Sequence, residues 1–363
     1  MEKEWNNEHG MNRRRFLRQA VLAGSTFCVA STTGKAVGSE PAVMNISGRP
    51  YTGLAGMAAV HNRRTLGSGT AAMNVSAMGF GCMGLNHHRS QHPGKEQAIA
   101  LIREAIERGV TLFDTAESYG YHKNEKLMGE ALKGYEGRVF VSSKFGHKFV
   151  NGVQIKTEED STPANVEVVA DTVKELIREG KVLHFGLCEV NAETIRRAHA
   201  VCPVTAIQSE YHFMHRNVEE NVLPVCEELG IGFVPYSPLN RGFLGGMINE
   251  YTRFEAANDN RQTLPRFQPD AIRANMRIVE VLNVFGRTRG ITPAQVALAW
   301  LMNKKPFIVP IPGTTKLSHL EENLRAAEIR FTESEMRELE EAVAAIPVIG
   351  SRYDALQESK VQK

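Results

Sequence analysis

Thr111-Leu112-Phe113-Asp114-Thr115-Ala116-Glu117-Ser118-Tyr119-Gly120 and, one helix-length later, Val139-Phe140-Val141-Ser142-Ser143-Lys144-Phe145-Gly146 are the stretches on which the fold turns. Each begins as a short apolar, β-branched run and ends in polar residues and a glycine, the pattern of a buried strand entering a loop. A third stretch, Gly232-Phe233-Val234-Pro235-Tyr236-Ser237-Pro238-Leu239, likewise runs from apolar residues into polar ones, without the closing glycine. A phenol has a pKa near 10 and is a reluctant proton donor at neutral pH. A nearby ammonium lowers that value, and a buried ammonium needs a carboxylate beside it. Tyr119, Lys144 and Asp114 therefore suit the roles of general acid, pKa tuner and counter-ion.

Working outward, seven segments read as strands: Met78–Met83, Val110–Asp114, Val139–Lys144, Leu183–Cys188, Val204–Ser209, Gly232–Tyr236 and Phe307–Ile311. Helical patterns lie between them. Val166, Val169, Ala170, Val173, Leu176 and Ile177 form one apolar stripe, with Thr162-Pro163 as the start signal and Gly180 as the stop. Thr292–Gln295, Ser318–Glu321 and Thr332–Glu335 each read as a capping box. Strand then helix, repeated, means a parallel sheet covered by helices. Seven strands in this length favour a barrel over an open sheet, with catalytic residues at the C-terminal strand ends. Asn62–Gly67 and Asn74–Ala77 suggest a small hairpin at the barrel entrance.

These motifs, in this order, resemble the aldo-keto reductase family from about Asn62 to Tyr353. Phe113–Gly120 with Asn124-Glu125 is similar to the family's first signature, and Ser143–Gly146 to its lysine strand. Gln208–Tyr211, Tyr236–Leu239 and Pro310–Lys316 are similar to its cofactor-binding strands. The resemblance implies a (β/α)8 TIM-type barrel that reduces a small-molecule carbonyl with NADP(H). It implies catalytic roles for Asp114, Tyr119 and Lys144. It places Gln208, with Cys188 and Glu189, on the nicotinamide carboxamide, and Tyr236 against the nicotinamide ring. The loop carrying Ser237, Leu239, Arg241, Gly242 and Leu244 would cradle the pyrophosphate through backbone N–H groups. Gly313, Thr314, Lys316 and His319 would meet the adenosine phosphate, and Glu322 and Asn323 the adenine. Lys316 favours NADP over NAD. His319, where the family often has arginine, weakens that preference at neutral pH. Cys188 stands where serine is usual. The stretch 241–270 reads as a flap over the cofactor.

One departure stands out. Between the strands of Lys144 and Leu183 the family has helix, strand, helix, whereas this chain offers residues 145–161 and one helix. The third helix and fourth strand are expected to be missing, leaving seven strands. With them would go the fourth catalytic residue, a histidine that orients the carbonyl. His147, His212 and His215 lie on nearby stretches and read as loop or surface histidines. Phe149-Val150 and Val153–Ile155 read as a hairpin that sits on the mouth without filling the gap. Loss of one such donor costs on the order of 10² in rate. A weakened reductase, a non-catalytic NADP-binding module and an inactive deletion product are the competing expectations.

Ahead of the barrel, Arg13-Arg14-Arg15-Phe16-Leu17 followed by the mildly apolar Ala20–Gly34 has signal-peptide order and looks like a twin-arginine export signal. Gly34-Lys35-Ala36 offers a cleavage site; a disordered basic tail would show the same charges. The expected division is 1–36 signal, 37–60 linker, 61–353 barrel and 354–363 tail, with the export machinery as partner and the periplasm as destination. Composition sets the remaining bounds. The 363 residues are 42% hydrophobic and 23% charged with a net charge of +2. That is a globular balance, too near neutral for a nucleic-acid binder. No apolar run reaches the ~20 residues of a membrane span. The five cysteines include no CxxC pair, so no metal site is expected, and four of them lie in apolar segments as buried thiols.

Overall fold

The structure, a computed structural model, describes residues 26–30, 58–89, 91–146, 149–150, 153–154, 165–255 and 258–358. Strands β1 (Thr26–Ala30), β2 (Arg63–Leu66), β3 (Met73–Ser76), β4 (Phe80–Gly81), β5 (Leu112–Asp114) and β6 (Phe140–Phe145) come first. After them come β7 (Phe149–Val150), β8 (Val153–Gln154), β9 (His184–Cys188), β10 (Ala206–Glu210) and β11 (Gly232–Tyr236). The main sheet has the order β11-β10-β9-β1-β6-β5-β4. Neighbours are parallel except at β1, which runs antiparallel to both β6 and β9.

Residues 307–312 close the ring. Val309 N–H donates to Phe233 O (2.8 Å) and Ile311 N–H to Pro235 O (3.1 Å), while Gly79 N–H donates to Pro310 O (2.9 Å) and Gly81 N–H to Pro312 O (3.3 Å). Pro310 and Pro312 have no N–H, so this stave forms an interrupted ladder instead of a continuous strand.

Here the structure corrects the expected seven-strand closure. Strands β6 and β9 do not meet directly. Thr26–Ala30 lies between them, Cys28 standing opposite Ser143 on one side and Phe185 on the other. Two open edges beside a buried site would leave N–H and C=O groups unpaired. A short extended run can satisfy both edges at once, whichever part of the chain supplies it. That run falls inside the stretch read as the export label. The β7–β8 hairpin forms as expected and makes a separate two-stranded sheet.

The β2–β3 hairpin is also relocated. Leu66, Met73 and Val75 are buried in one cluster with Leu112, Ala206 and Val234 inside the barrel. Thr205 Oγ1 donates to Ala71 O (2.9 Å), and a Cβ on Gly232 would overlap Leu66. The hairpin therefore stoppers the N-terminal end of the strands, opposite the expected entrance. Its alternating apolar residues needed a core, and the open barrel floor supplies one.

Helices α1 (Lys95–Glu107), α2 (Lys123–Ala131), α3 (Val166–Arg178), α4 (Ala192–Val201), α5 (Val218–Leu229), α6 (Pro269–Arg287), α7 (Pro293–Lys304), α8 (Leu317–Arg325), α9 (Glu333–Ala344) and α10 (Ala355–Glu358) complete the chain. The stripe Val166, Val169, Ala170, Val173 buries against Phe185 and Leu187, each buried valine contributing ~1.5–3 kcal/mol. Capping boxes form at Thr292/Gln295 and Thr332/Glu335. The third does not: α8 starts one residue before Ser318, with Lys316 as its cap residue. The Thr162-Pro163 start signal lies outside the described residues. Ala58 and Val60 are buried, with Val60 N–H donating to Arg108 O (2.9 Å), and α10 follows Tyr353. Among the described residues no helix is long and apolar enough to cross a membrane, and no group of three or more potential metal ligands occurs.

Candidate active site

Parallel pairing of β5 with β6 sets Asp114 beside Ser142 and brings Lys144 to the same mouth. Lys144 Nζ donates to Asp114 Oδ2 (2.5 Å) and to Thr115 O (3.0 Å). Asp114 Oδ1 accepts from Ser142 Oγ (2.7 Å) and Gln208 Nε2 (2.8 Å). All four residues are buried. Burial alone would lower the lysine's pKa; Asp114 reverses this, and the net shift is upward. The ammonium stays charged because its counter-ion is fixed from three directions.

Tyr119 follows β5 in a tight turn, its N–H donating to Ala116 O (3.1 Å). Lys144 Nζ lies 5.4 Å from the centre of its ring. Burial pushes the phenol up to about 12, with Lys144 pulling down and Asp114 pushing up. The phenol is thus protonated at neutral pH, but the net rise runs against the lowered value expected beside an ammonium: Lys144 offsets only part of the effect of burial. Asn124, fully buried, ties the surroundings together: it accepts from Thr115 Oγ1 (2.6 Å) and donates to Cys82 O (3.0 Å) and Asn86 Oδ1 (2.7 Å).

The other expected residues divide. Gln208 shares a row of the sheet with Cys188 and Val234, and its amide already serves Asp114. Burial pushes the Cys188 thiol upward. Tyr236 ends β11 and shares a hydrogen bond with Tyr353 Oη (2.9 Å). Gly313 packs against Gly81 so closely that a Cβ would overlap Gly81 O. Thr314 and Lys316 sit at the start of α8, Lys316 and His319 are exposed, Glu322 is half-buried and Asn323 is buried.

Some side chains are committed elsewhere. Glu189, at φ 55°, accepts from Glu210 N–H (2.7 Å) and Arg352 Nη2 (2.8 Å). Arg241 grips Glu210 through two bonds (2.9 and 3.0 Å), and Leu244 is in the core. In the Ser237–Leu244 loop, Asn240, Gly242, Phe243 and Leu244 donate their N–H groups to carbonyls of the loop itself. The expected cradle of free N–H groups is mostly spent on the turn, which needs positive φ at Ser237, Asn240 and Arg241. Residues 258–267 contact the loop after β4, Arg89 donating to Asn260 Oδ1 (3.0 Å).

Two clusters were not legible in the sequence. One is the network behind Tyr236. Glu210 is fully buried between Arg241 and His212, whose Nε2 lies 2.9 Å away, while Arg241 and Arg352 lie 5.3 and 5.0 Å from the Tyr353 ring. His212 and half-buried His215 pair with one another here, so neither is a surface histidine. Burial, partly opposed by Glu210, lowers His212 to about 4. The other is His87, whose ring lies 5.8 Å from that of Tyr119. His147 lies outside the described residues. Cys82, Cys188, Cys202 and Cys226 are free and buried, as expected.

Comparisons with known proteins agree with this geometry. The profile of the Aldo/keto reductase family matches residues 77–161 and 150–344. The chain is 37% identical over 314 residues to the probable aldo-keto reductase 1 of Glycine max, covering 78% of this chain and 90% of that protein. A glycerol dehydrogenase of Gluconobacter oxydans has a similar fold, with TM-score 0.69 at 20% identity over 78% of this chain and 96% of its own. So does an aldo/keto reductase of Klebsiella pneumoniae solved with NADP and acetate, with TM-score 0.56 at 21% identity over 80% and 99%. With the lysine, aspartate and tyrosine gathered at one strand-end mouth, the chain belongs to the aldo/keto reductase family.

Proposed function

We propose that this protein reduces a small aldehyde or ketone with NADP(H) as cofactor. The observation that carries the reading is the Asp114–Lys144 pair at 2.5 Å with the Lys144 ammonium 5.4 Å from the Tyr119 ring. The residues present fit the cofactor's phosphate end: the N-terminus of α8 exposes Lys316 beside the Thr314 hydroxyl, a donor set for an anion. Gln208 and Tyr236, on neighbouring strands, fit its nicotinamide end. When bound, the cofactor supplies a hydride to the carbonyl carbon.

The protein's own part is proton delivery. Tyr119 donates its hydroxyl proton to the carbonyl oxygen as charge develops there. Lys144 stabilises the phenolate left behind, Asp114 keeps Lys144 charged, and solvent restores the proton. Assays of NADPH oxidation with an aldehyde panel test the reading. Turnover that vanishes in Tyr119→Phe supports it; tight NADPH binding with no turnover favours a non-catalytic module.

The family profile meets this chain in two pieces that overlap at residues 150–161. This supports the loss of the third helix and fourth strand, and with them the usual histidine. The export label belongs to the same proposal. Cleavage after Ala36 would take β1 out of the sheet, so an exported, cleaved barrel must close β6 and β9 differently. The intact mass of the periplasmic protein reads out which form persists.

A further inference from the structure

Carbonyl reduction leaves negative charge on an oxygen that can accept two hydrogen bonds, and preorganised donors aimed at that oxygen are among the strongest contributors to catalysis. Tyr119 supplies one donor. We propose that His87 supplies the second, standing in for a histidine from the absent strand; the inference rests on the reductase reading above.

Four observations carry it. The ring of His87 lies 5.8 Å from that of Tyr119, tilted by 31°, so one small group could touch both. Its loop is held: Leu85 is buried, His87 N–H donates to Met83 O (3.0 Å), and the preceding Asn86 is bonded to Asn124 (2.7 Å), which also grips the Thr115 side chain beside the catalytic aspartate. The ring nitrogens of His87 make no hydrogen bond to any described residue. By contrast, the rings of His92, His122, His184, His199 and His212 are all engaged with Gly84 O, Glu125, Thr205, Val204 N–H and Glu210. Finally, the ring is neutral at pH 7, since burial, then His88, His92 and Arg89, lower it to about 4. A neutral imidazole always carries one N–H. Such a group donates to an oxyanion without competing with Tyr119 as the proton source.

The test uses the full chain and two substitutions. His87→Phe keeps a ring against Tyr119 and removes the donor; His87→Gln restores an N–H at similar reach. With NADPH and an aldehyde, His87→Phe is expected to lose on the order of 10²-fold in kcat, His87→Gln to recover at least tenfold of this, and NADPH affinity to stay within twofold in both. A second readout needs no turnover. Acetate, whose carboxylate oxygen mimics the charged product, is titrated into the NADP+-loaded chain by fluorescence, and its Kd is expected to rise tenfold or more in His87→Phe. Equal acetate affinity in parent and His87→Phe overturns the inference, as does turnover by His87→Phe within threefold of the parent. If the parent binds NADPH but reduces nothing, the reductase reading fails and the acetate arm alone decides His87. If the parent binds no NADPH, both fall.

Discussion

Replacing Cys28 and Val29 together by proline should cut the barrel's stability in a way that can be worked out from the register. Cys28 faces Ser143 and Phe185, and Val29 faces Ser142 and His184. In an antiparallel strand, successive N–H groups point to opposite neighbours, so two adjacent prolines remove one ladder bond on each side. Each loss strands a carbonyl at a cost of ~1–3 kcal/mol, hence ~2–6 kcal/mol for the pair. At roughly 2 °C per kcal/mol for a domain of this size, Tm should fall by about 4–12 °C in a thermal melt of the full chain. A second measurement checks the register directly. In antiparallel pairs the facing Cα atoms are ~4.5–5.5 Å apart, within the ~4.4–6.8 Å span of a disulfide. Ser143→Cys should therefore link to the native Cys28 under mild oxidation, with the bridge visible by peptide mapping. An unchanged Tm in the double-proline chain, together with no Cys28 bridge in Ser143→Cys, would refute the placement of β1 between β6 and β9.

Other outcomes follow from the site. Tyr119→Phe should lower kcat by ~10²–10⁴ while leaving NADPH affinity, read by fluorescence, unchanged. Lys144→Met removes one partner of a pair whose side chains are only 8% and 5% exposed. It should cost ~3–5 kcal/mol in denaturant unfolding and push the phenol still higher, so that kcat falls as well. Acid should weaken the fold before carboxylates titrate. His87 and His212 are both lowered to about 4 from the usual 6.5, so between those values the unfolded chain binds more protons. Their contribution is fully present above pH 6.5 and is lost as pH falls towards 4, on the order of 3 kcal/mol for the fully buried His212. The urea midpoint should drop between pH 7 and 5, and a flat profile contradicts the buried neutral state. For the reduction itself, kcat should decline as pH rises towards about 12, where Tyr119 loses its proton.

Much of this protein is written locally and could be read without coordinates. The stripe Val166–Val173, the boxes at Thr292 and Thr332, and the runs ending in Asp114, Lys144 and Tyr236 each depend on neighbours within a few residues. Parallel pairing then carries the Asp114 and Lys144 strands to one mouth. Contacts between distant segments were not legible. Thr26–Ala30 has the same mild apolar character whether it is an export core or a strand, and only two unpaired edges waiting at β6 and β9 make it a stave. The β2–β3 pattern specified a hairpin but not which end of the barrel it would close. Arg352 and Tyr353, far along the chain from Glu189 and Tyr236, reach them only because the C-terminal segment folds back over the strand ends. Nothing in the sequence around His87 marks it; only the Asn124 contact to its loop sets it against Tyr119. Local pattern determines elements and their chemical cargo; which cargo meets is settled by the burial and backbone pairing of segments far apart in the chain.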